Sequence, residues 1–161
     1  MSYLRYIMLY SLVFLIENSV ITVISIDETV PDLSLIFLIF FSLKESQIKS
    51  TLAGFLIGLV KDIVSFNLVG LSSLAKTVSG FTTFYFQSLK DRHMSSRITL
   101  IVFVISWIHN VINQIILSIG SEFRIVKILV HDTVPGAIYT TVFAVIINMM
   151  FYRMIWSRQP H

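Results

Sequence analysis

The sequence predicts an all-α integral membrane protein, a six-helix transmembrane bundle with both termini in the cytoplasm. Of its 161 residues, 55% are hydrophobic and 13% are charged, whereas a soluble domain carries about 25% charged residues. At about 20 residues per span, six spans use roughly 120 residues and leave roughly 40 for loops and termini. These proportions exclude a water-soluble globule. They favour one polytopic membrane domain over residues 1–161, without a nucleotide-binding or other soluble domain.

The first two apolar runs predict spans at about 6–26 and 30–43. The first run is long, contains Glu17 and lacks a small-x-small cleavage site, so we interpret it as an uncleaved span rather than a signal peptide. The second run begins at Pro31, a residue suited to a first helical turn. It is short for a full crossing of the bilayer.

Four further spans are separated by turn residues or polar segments, and we predict them at about 50–65, 71–89, 98–119 and 135–155. Gly70 belongs to the turn between the third and fourth spans. Ahead of the sixth span, Arg124, Lys127 and His131 recur at i, i+3 and i+7 between apolar residues. This spacing predicts an amphipathic helix in the membrane interface at about 122–131.

The basic residues orient the bundle. With six spans and a cytoplasmic N-terminus, eight of the twelve Lys and Arg residues fall on the cytoplasmic side: Arg5, Lys44, Lys49, Lys90, Arg92, Arg97, Arg153 and Arg158. Arg124 and Lys127 fall outside, and Lys61 and Lys76 lie within or near membrane depth. Because cytoplasmic loops are enriched in Lys and Arg, this distribution predicts that both termini are inside.

Charged residues within the spans require a partner or a use, because each costs about 2.5 to 3.5 kcal/mol at the centre of the bilayer. Glu17 is expected to face other helices. Gly54, Gly58 and Asp62 recur every four residues, so they form a stripe on which a neighbouring backbone can approach closely.

The fourth span carries a second stripe, made of Ser73, Lys76, Gly80, Thr83 and Gln87. A short turn makes the third and fourth spans antiparallel neighbours, so we predict that Asp62 and Lys76 approach each other directly or through water. This pair would fix the register of the two helices, or form a proton or ligand site.

A polar face on the fifth span contains His109, Asn110 and Asn113. Such a face is typical of hydrogen bonds between helices, worth about 0.6 kcal/mol each on average. A proton-relay role for His109 is the alternative. The chain has no Cys, and its four His residues lie far apart in the sequence. We therefore predict no catalytic, metal-binding or cofactor-binding residues and no enzymatic activity.

The segments VPDLSLIFLIFFSLKE and AGFLIGLVKDIVSFNLVGLSSLAKTVSGF resemble the family of the bacterial rod shape-determining protein MreD. The family pattern is a Pro with a following acidic or polar residue, then G-F-x-x-G-x-x-x-D, then a Gly-Leu turn into the next span. The matching residues are Pro31 and Asp32, then Gly54, Phe55, Gly58 and Asp62, then Gly70, Leu71 and Leu74. One departure is Lys61, where the family pattern has an apolar residue.

The resemblance implies a non-enzymatic scaffold of the elongation complex in the bacterial cytoplasmic (inner) membrane. Its direct partner would be the bitopic protein MreC. Its indirect partners would be the MreB filament, an elongation glycosyltransferase and a class B penicillin-binding protein, with no nucleic acid.

The family fold is also similar to the S components of energy-coupling-factor transporters. This similarity supplies an alternative, a small-molecule binder with a pocket lined by Glu17, Lys76, Asn110 and Asn113. A third hypothesis, an intramembrane aspartyl enzyme such as lipoprotein signal peptidase, is disfavoured because the motifs around its two Asp residues are missing here.

Overall fold

The computed structural model describes residues 2–24, 30–65, 70–89, 94–118 and 133–156, and these residues form six α-helices, one short 3-10 helix and no strand. The α-helices are α1 (Ser2–Ile24), α2 (Leu33–Ser42), α3 (Gln47–Ser65), α4 (Leu71–Tyr85), α5 (Met94–Leu117) and α6 (Val134–Trp156). The 3-10 helix, Phe86–Leu89, continues α4. The prediction of an all-helical fold with six helices is confirmed for the described residues.

Helix α2 lies at the centre of the bundle and packs against each of the other five α-helices. Its sequence, LSLIFLIFFS, is apolar on all sides, which is typical of a helix surrounded by protein or lipid. Leu35, Ile36, Leu38 and Ile39 are each at most 2% exposed. They form a core with an apolar stripe of α5, namely Ile98, Ile101, Val102 and Ile105.

Polar side chains hold both ends of α2. At the N-terminus, Oδ1 of Asp32 accepts a hydrogen bond from the backbone N–H of Leu35 at 2.7 Å, which satisfies one of the free amide groups of the first turn. At the C-terminal end, Nε2 of Gln87 donates to the carbonyl oxygens of Ser42 at 3.0 Å and Glu45 at 2.7 Å. The ten residues of α2 rise only about 15 Å. The helix is therefore too short to cross a hydrocarbon core of about 30 Å by itself.

Glycine allows α3 and α4 to pack backbone to backbone. A Cβ atom on Gly54 would overlap the carbonyl group of Lys76, and one on Gly58 would overlap the backbone of Ser72 and Ser73. On the facing helix, a Cβ atom on Gly80 would overlap the carbonyl oxygen of Ser50. The order of these contacts along the two helices makes α3 and α4 antiparallel. The close approach predicted from the glycine spacing is therefore observed.

Within the described residues, one helix, Arg97–Leu117 in α5, is both long enough and apolar enough to cross a membrane, with a mean hydropathy of 1.9. Shorter apolar stretches occur at Tyr6–Ser19, Leu33–Ser42 and Val134–Met150. The amphipathic helix predicted at about 122–131 lies outside the described residues.

We expect Gly58→Ala to destabilise the bundle by about 1 to 3 kcal/mol, because the added methyl group forces two helix backbones apart. Alanine has a higher helix propensity than glycine, so the substitution would otherwise stabilise α3. A loss of stability would therefore come from the lost contact between the helices. The free energy of unfolding, measured by SDS titration in mixed micelles, gives the readout. Val60→Ile, which adds one methyl group on the exposed face of α3, is the matched control. Equal stability of the two variants would contradict the proposed contact.

Candidate functional site

The charge cluster comprises Glu17, Asp32, Lys61, Lys76 and His109. These residues come from α1, the N-terminal cap of α2, α3, α4 and α5, so each belongs to a different helix of the bundle. They are separated by up to 92 positions in the sequence, and the fold alone brings them together.

Asp32 is the centre of the charge cluster. Its Oδ2 atom lies 2.6 Å from Nζ of Lys76 and 3.0 Å from Nζ of Lys61. Nε2 of His109 is 3.4 Å from the same oxygen. Since Oδ1 of Asp32 caps α2, one carboxylate both caps a helix and receives charged groups from two others.

Glu17 connects α1 to the cluster through both of its carboxylate oxygens. Oε1 lies 2.7 Å from Nζ of Lys61. Oε2 accepts hydrogen bonds from the backbone N–H of Ser34 at 2.9 Å and from the hydroxyl group of Ser34. Ser34 lies in the first turn of α2, so the carboxylate of Glu17 also satisfies a second free amide of that turn and interacts favourably with the helix dipole.

The cluster is largely inaccessible to solvent. The side chain of Lys76 is 0% exposed, those of Glu17 and His109 are each 3% exposed, and that of Lys61, the most open, is 24% exposed. Two carboxylates and two ammonium groups balance in formal charge when His109 is neutral. Removing one partner from such a set is costly because it leaves a buried charge uncompensated.

Helices α5 and α6 join the site through neutral hydrogen bonds. Nε2 of His109 lies 3.0 Å from Nδ2 of Asn113. Nδ2 of Asn110 donates to the carbonyl oxygen of Thr133 at 3.2 Å, immediately before α6. The backbone N–H of Asp32 points to Oγ1 of Thr140 on α6 at 3.4 Å. The polar face of α5 thus makes some contacts, while Oγ of Ser106, Nδ1 of His109 and Oδ1 of Asn113 are buried without a hydrogen-bond partner among the described residues.

The predicted pairing of Asp62 with Lys76 is wrong. The carboxylate of Asp62 accepts backbone N–H bonds from three residues at the start of α4, which are Gly70 at 2.9 Å, Ser72 at 3.0 Å and Ser73 at 3.1 Å. Gly70 itself adopts a left-handed conformation, with φ at 104°, which favours glycine. Asp62 therefore caps α4 from α3, while Lys76 lies further along α4 and binds Asp32.

The structure brings together Glu17, Asp32, Lys76 and His109 from the residues singled out in the sequence. It places Pro31 in a buried position beside the cluster, whereas Gly54, Gly58 and Gly80 lie in the contact between α3 and α4. The sequence places Lys61 within or near membrane depth, but no partner was predicted for it, so its role in the cluster was missed. A signal was present: a lysine at membrane depth requires a partner, and the predicted pair of Asp62 with Lys76 leaves Lys61 without one.

The four charged members of the cluster form a paired network, whereas Nδ1 of His109 and Oδ1 of Asn113 are buried without a hydrogen-bond partner among the described residues. Within the described ranges, no group of three or more His, Asp or Glu residues could hold a metal ion. The carboxylates that could act as bases are already engaged by lysines or by backbone amides. What the cluster does is fix the positions of five helices relative to one another.

A model of the family described as rod shape-determining protein MreD matches residues 1–157 of the chain. A comparison with curated proteins and a comparison with solved structures each gave no match.

We expect Asp32→Asn to lower the free energy of unfolding by about 3 to 5 kcal/mol, because it leaves the ammonium group of Lys76 buried without its counter-charge. Asparagine keeps an oxygen that can cap α2, so the change mainly tests the charge. Lys49→Met, which breaks the exposed pair between Lys49 and Glu45 at 2.8 Å, should cost about 0.5 kcal/mol or less. A similar loss in both variants would refute the central role of Asp32.

We further expect the double variant Asp32→Asn with Lys76→Met to be more stable than Asp32→Asn alone, because no unpaired ammonium group remains.

Asp62→Ala should cost about 0.5 to 2 kcal/mol through loss of the α4 cap. Its effect should add to that of Lys76→Met within about 0.5 kcal/mol, since the two residues share no partner. If the double-mutant cycles instead showed strong coupling of Lys76 to Asp62 and none to Asp32, Asp62 rather than Asp32 would be the partner of Lys76.

Proposed function

The chain belongs to the family of the rod shape-determining protein MreD, and we propose that it is a non-enzymatic scaffold of the bacterial elongation complex. Members of this family are membrane proteins with a role in determining rod shape. The proposed task is to hold a set of helices in one arrangement, so that partners in the wall-synthesis machinery bind a fixed surface in the membrane.

The charge cluster is the observation that carries this proposal. An enzyme or a transport protein needs polar groups that are free to meet a substrate. Here Glu17, Asp32, Lys61 and Lys76 are bound to one another, and a satisfied buried network of this kind specifies one packing arrangement. The network therefore supports a rigid scaffold.

The same contacts weigh against a ligand pocket of the S-component type. Of the four residues considered for such a pocket, Glu17 is paired with Lys61 and Lys76 with Asp32. Asn110 is bonded to the carbonyl oxygen of Thr133. A ligand that used these three residues would have to break interactions that the fold already satisfies. The fourth residue, Asn113, has its Oδ1 atom buried without a hydrogen-bond partner among the described residues.

We propose that the direct partner is an MreC-like bitopic protein, and that the chain acts through it on the MreB filament and on the peptidoglycan synthases. The loops and termini, roughly 40 residues in all if there are six spans, provide little surface outside the bilayer. The partner would therefore bind largely to the helices. In the proposed orientation, with both termini in the cytoplasm, α2 runs inward from its Asp32 cap. The charge cluster then lies in the outer half of the bundle, and the apolar core around Leu38 and Ile39 lies in the inner half.

In the bacterium that encodes the chain, depletion is expected to convert rods into rounded cells, and a wild-type copy should restore the rod shape. The Asp32→Asn copy should restore it poorly, because the packing of the helices that meet the partner is loosened. Cell aspect ratio measured by microscopy, and recovery of the MreC-like protein in a mild-detergent pull-down, are the two readouts.

The Lys49→Met copy serves as the control and should behave like the wild type. Immunoblots of the membrane fraction must show equal amounts of all copies, so that a loss of partner binding is separated from degradation. The scaffold proposal fails if depleted cells stay rod-shaped and the wild-type chain recovers no MreC-like protein. Copurification of a stoichiometric small molecule, detected by mass spectrometry, would favour the transport alternative.

A further inference from the structure

The outward face of α1 differs from the outward faces of the other helices. Among the described side chains, the exposed residues in the interiors of α3 to α6 are apolar, and exposed polar residues there lie near helix ends. Helix α1 instead exposes Ser11, Asn18 and Ser19 well inside its length. A lipid environment offers no hydrogen bonds to such groups, so polar side chains on a membrane helix are typical of contacts with another helix.

Asn18 lies at the depth of the charge cluster, since its neighbour Glu17 belongs to that cluster. Nδ2 of Asn18 donates to the carbonyl oxygen of Phe14 in its own helix at 2.8 Å, and Oγ of Ser11 donates to Ile7 at 2.9 Å. Within the described residues, the amide oxygen of Asn18 accepts no hydrogen bond. Within those residues, the amide therefore keeps both an acceptor and a second N–H for a further partner.

Five of the exposed residues of α1 form a regular line along the helix, which we call the seam. Successive steps of four, three, four and three residues connect Leu4, Met8, Ser11, Leu15 and Asn18. Leu4, Met8 and Leu15 are each 66% exposed. This is the spacing of the a and d positions of a left-handed coiled coil, which is also the commonest packing geometry between membrane helices.

We propose that α1 packs in parallel against α1 of a second copy of this chain, with Asn18 facing Asn18 across a two-fold axis. Two copies of one membrane protein share an orientation, so their first helices are parallel and identical residues meet at the same depth. A two-fold contact requires groups that complement themselves. An amide does, because it can donate to and accept from its own copy, and a single polar Asn in a coiled-coil seam fixes register and pairing.

The proposed contact leaves the interior of the bundle intact. The side chain of Glu17 points about 100° away from that of Asn18, into the bundle, where it contacts Lys61 and Ser34. Tyr10 likewise points inward, with its hydroxyl group donating to the carbonyl oxygen of Ile57 on α3 at 3.4 Å. Self-association thus goes beyond the proposed scaffold function and does not depend on it.

The absence of Cys from the chain allows the contact to be tested by disulfide formation in native membranes. The full-length Ser11→Cys variant, oxidised by oxygen with copper phenanthroline, should form a covalent dimer, because facing seam residues in a parallel pair come within disulfide range. Leu56→Cys, on the exposed face of α3, is the matched control and should stay monomeric. Equal dimer yields at both positions, or none at Ser11→Cys, would overturn the proposal.

A second variant tests the role of the amide. Adding Asn18→Leu to Ser11→Cys should lower the dimer yield about fivefold or more, while the protein keeps its elution position in detergent as a folded species. An unchanged yield would overturn the assignment of Asn18. Crosslinking of Ser11→Cys to a different membrane protein instead of to itself would also overturn it, since another helix would then occupy the seam.

Discussion

The carboxylate of Asp32 is the interaction on which the rest of the bundle depends. One of its oxygens caps α2, and the other binds the ammonium groups of Lys61 and Lys76. Through these groups the side chain of Asp32 connects the central helix to α3 and α4. The backbone N–H of Asp32 points to Thr140 of α6. Because Lys76 is completely buried, loss of Asp32 alone would leave its ammonium group without a counter-charge.

The short length of α2 matches the spacing of the polar contacts at its two ends. Helix α4 supplies Lys76 at one end of α2, and the 3-10 helix that continues α4 supplies Gln87 at the other. These residues are eleven positions apart. At 1.5 Å per residue that separation is about 16 Å, close to the length of about 15 Å of the ten residues of α2. A polar anchor at each end matches the helix to its neighbour and sets its register. An apolar helix without such anchors could slide along its neighbours at little cost, because apolar surface is non-directional.

The helices themselves could be predicted from the sequence, since each is an apolar run bounded by turn or charged residues. The contact of α3 with α4 could also be predicted, because the four-residue spacing of Gly54 and Gly58 defines one face. The charge pairing could not. Lys61 and Asp62 are consecutive, so they point about 100° apart around α3, one toward α1 and α2 and the other toward the start of α4. The packing of the whole bundle decides which helix each of these side chains contacts. The local spacing of residues in the sequence does not determine these contacts.

Helix α1 stands apart from the other helices in how it is held. It packs on α2, and its polar connections to the interior are the contacts of Glu17 with Lys61 and Ser34 and of Tyr10 with Ile57. These inward contacts set the rotation of α1 about its axis, and that rotation decides which residues face the lipid. With Glu17 inside, Ser11 lies about 120° away around the helix and Asn18, the next residue, about 100° away, and both are exposed. A buried ion pair on one face of α1 therefore determines the surface that its other face presents to a neighbouring protein.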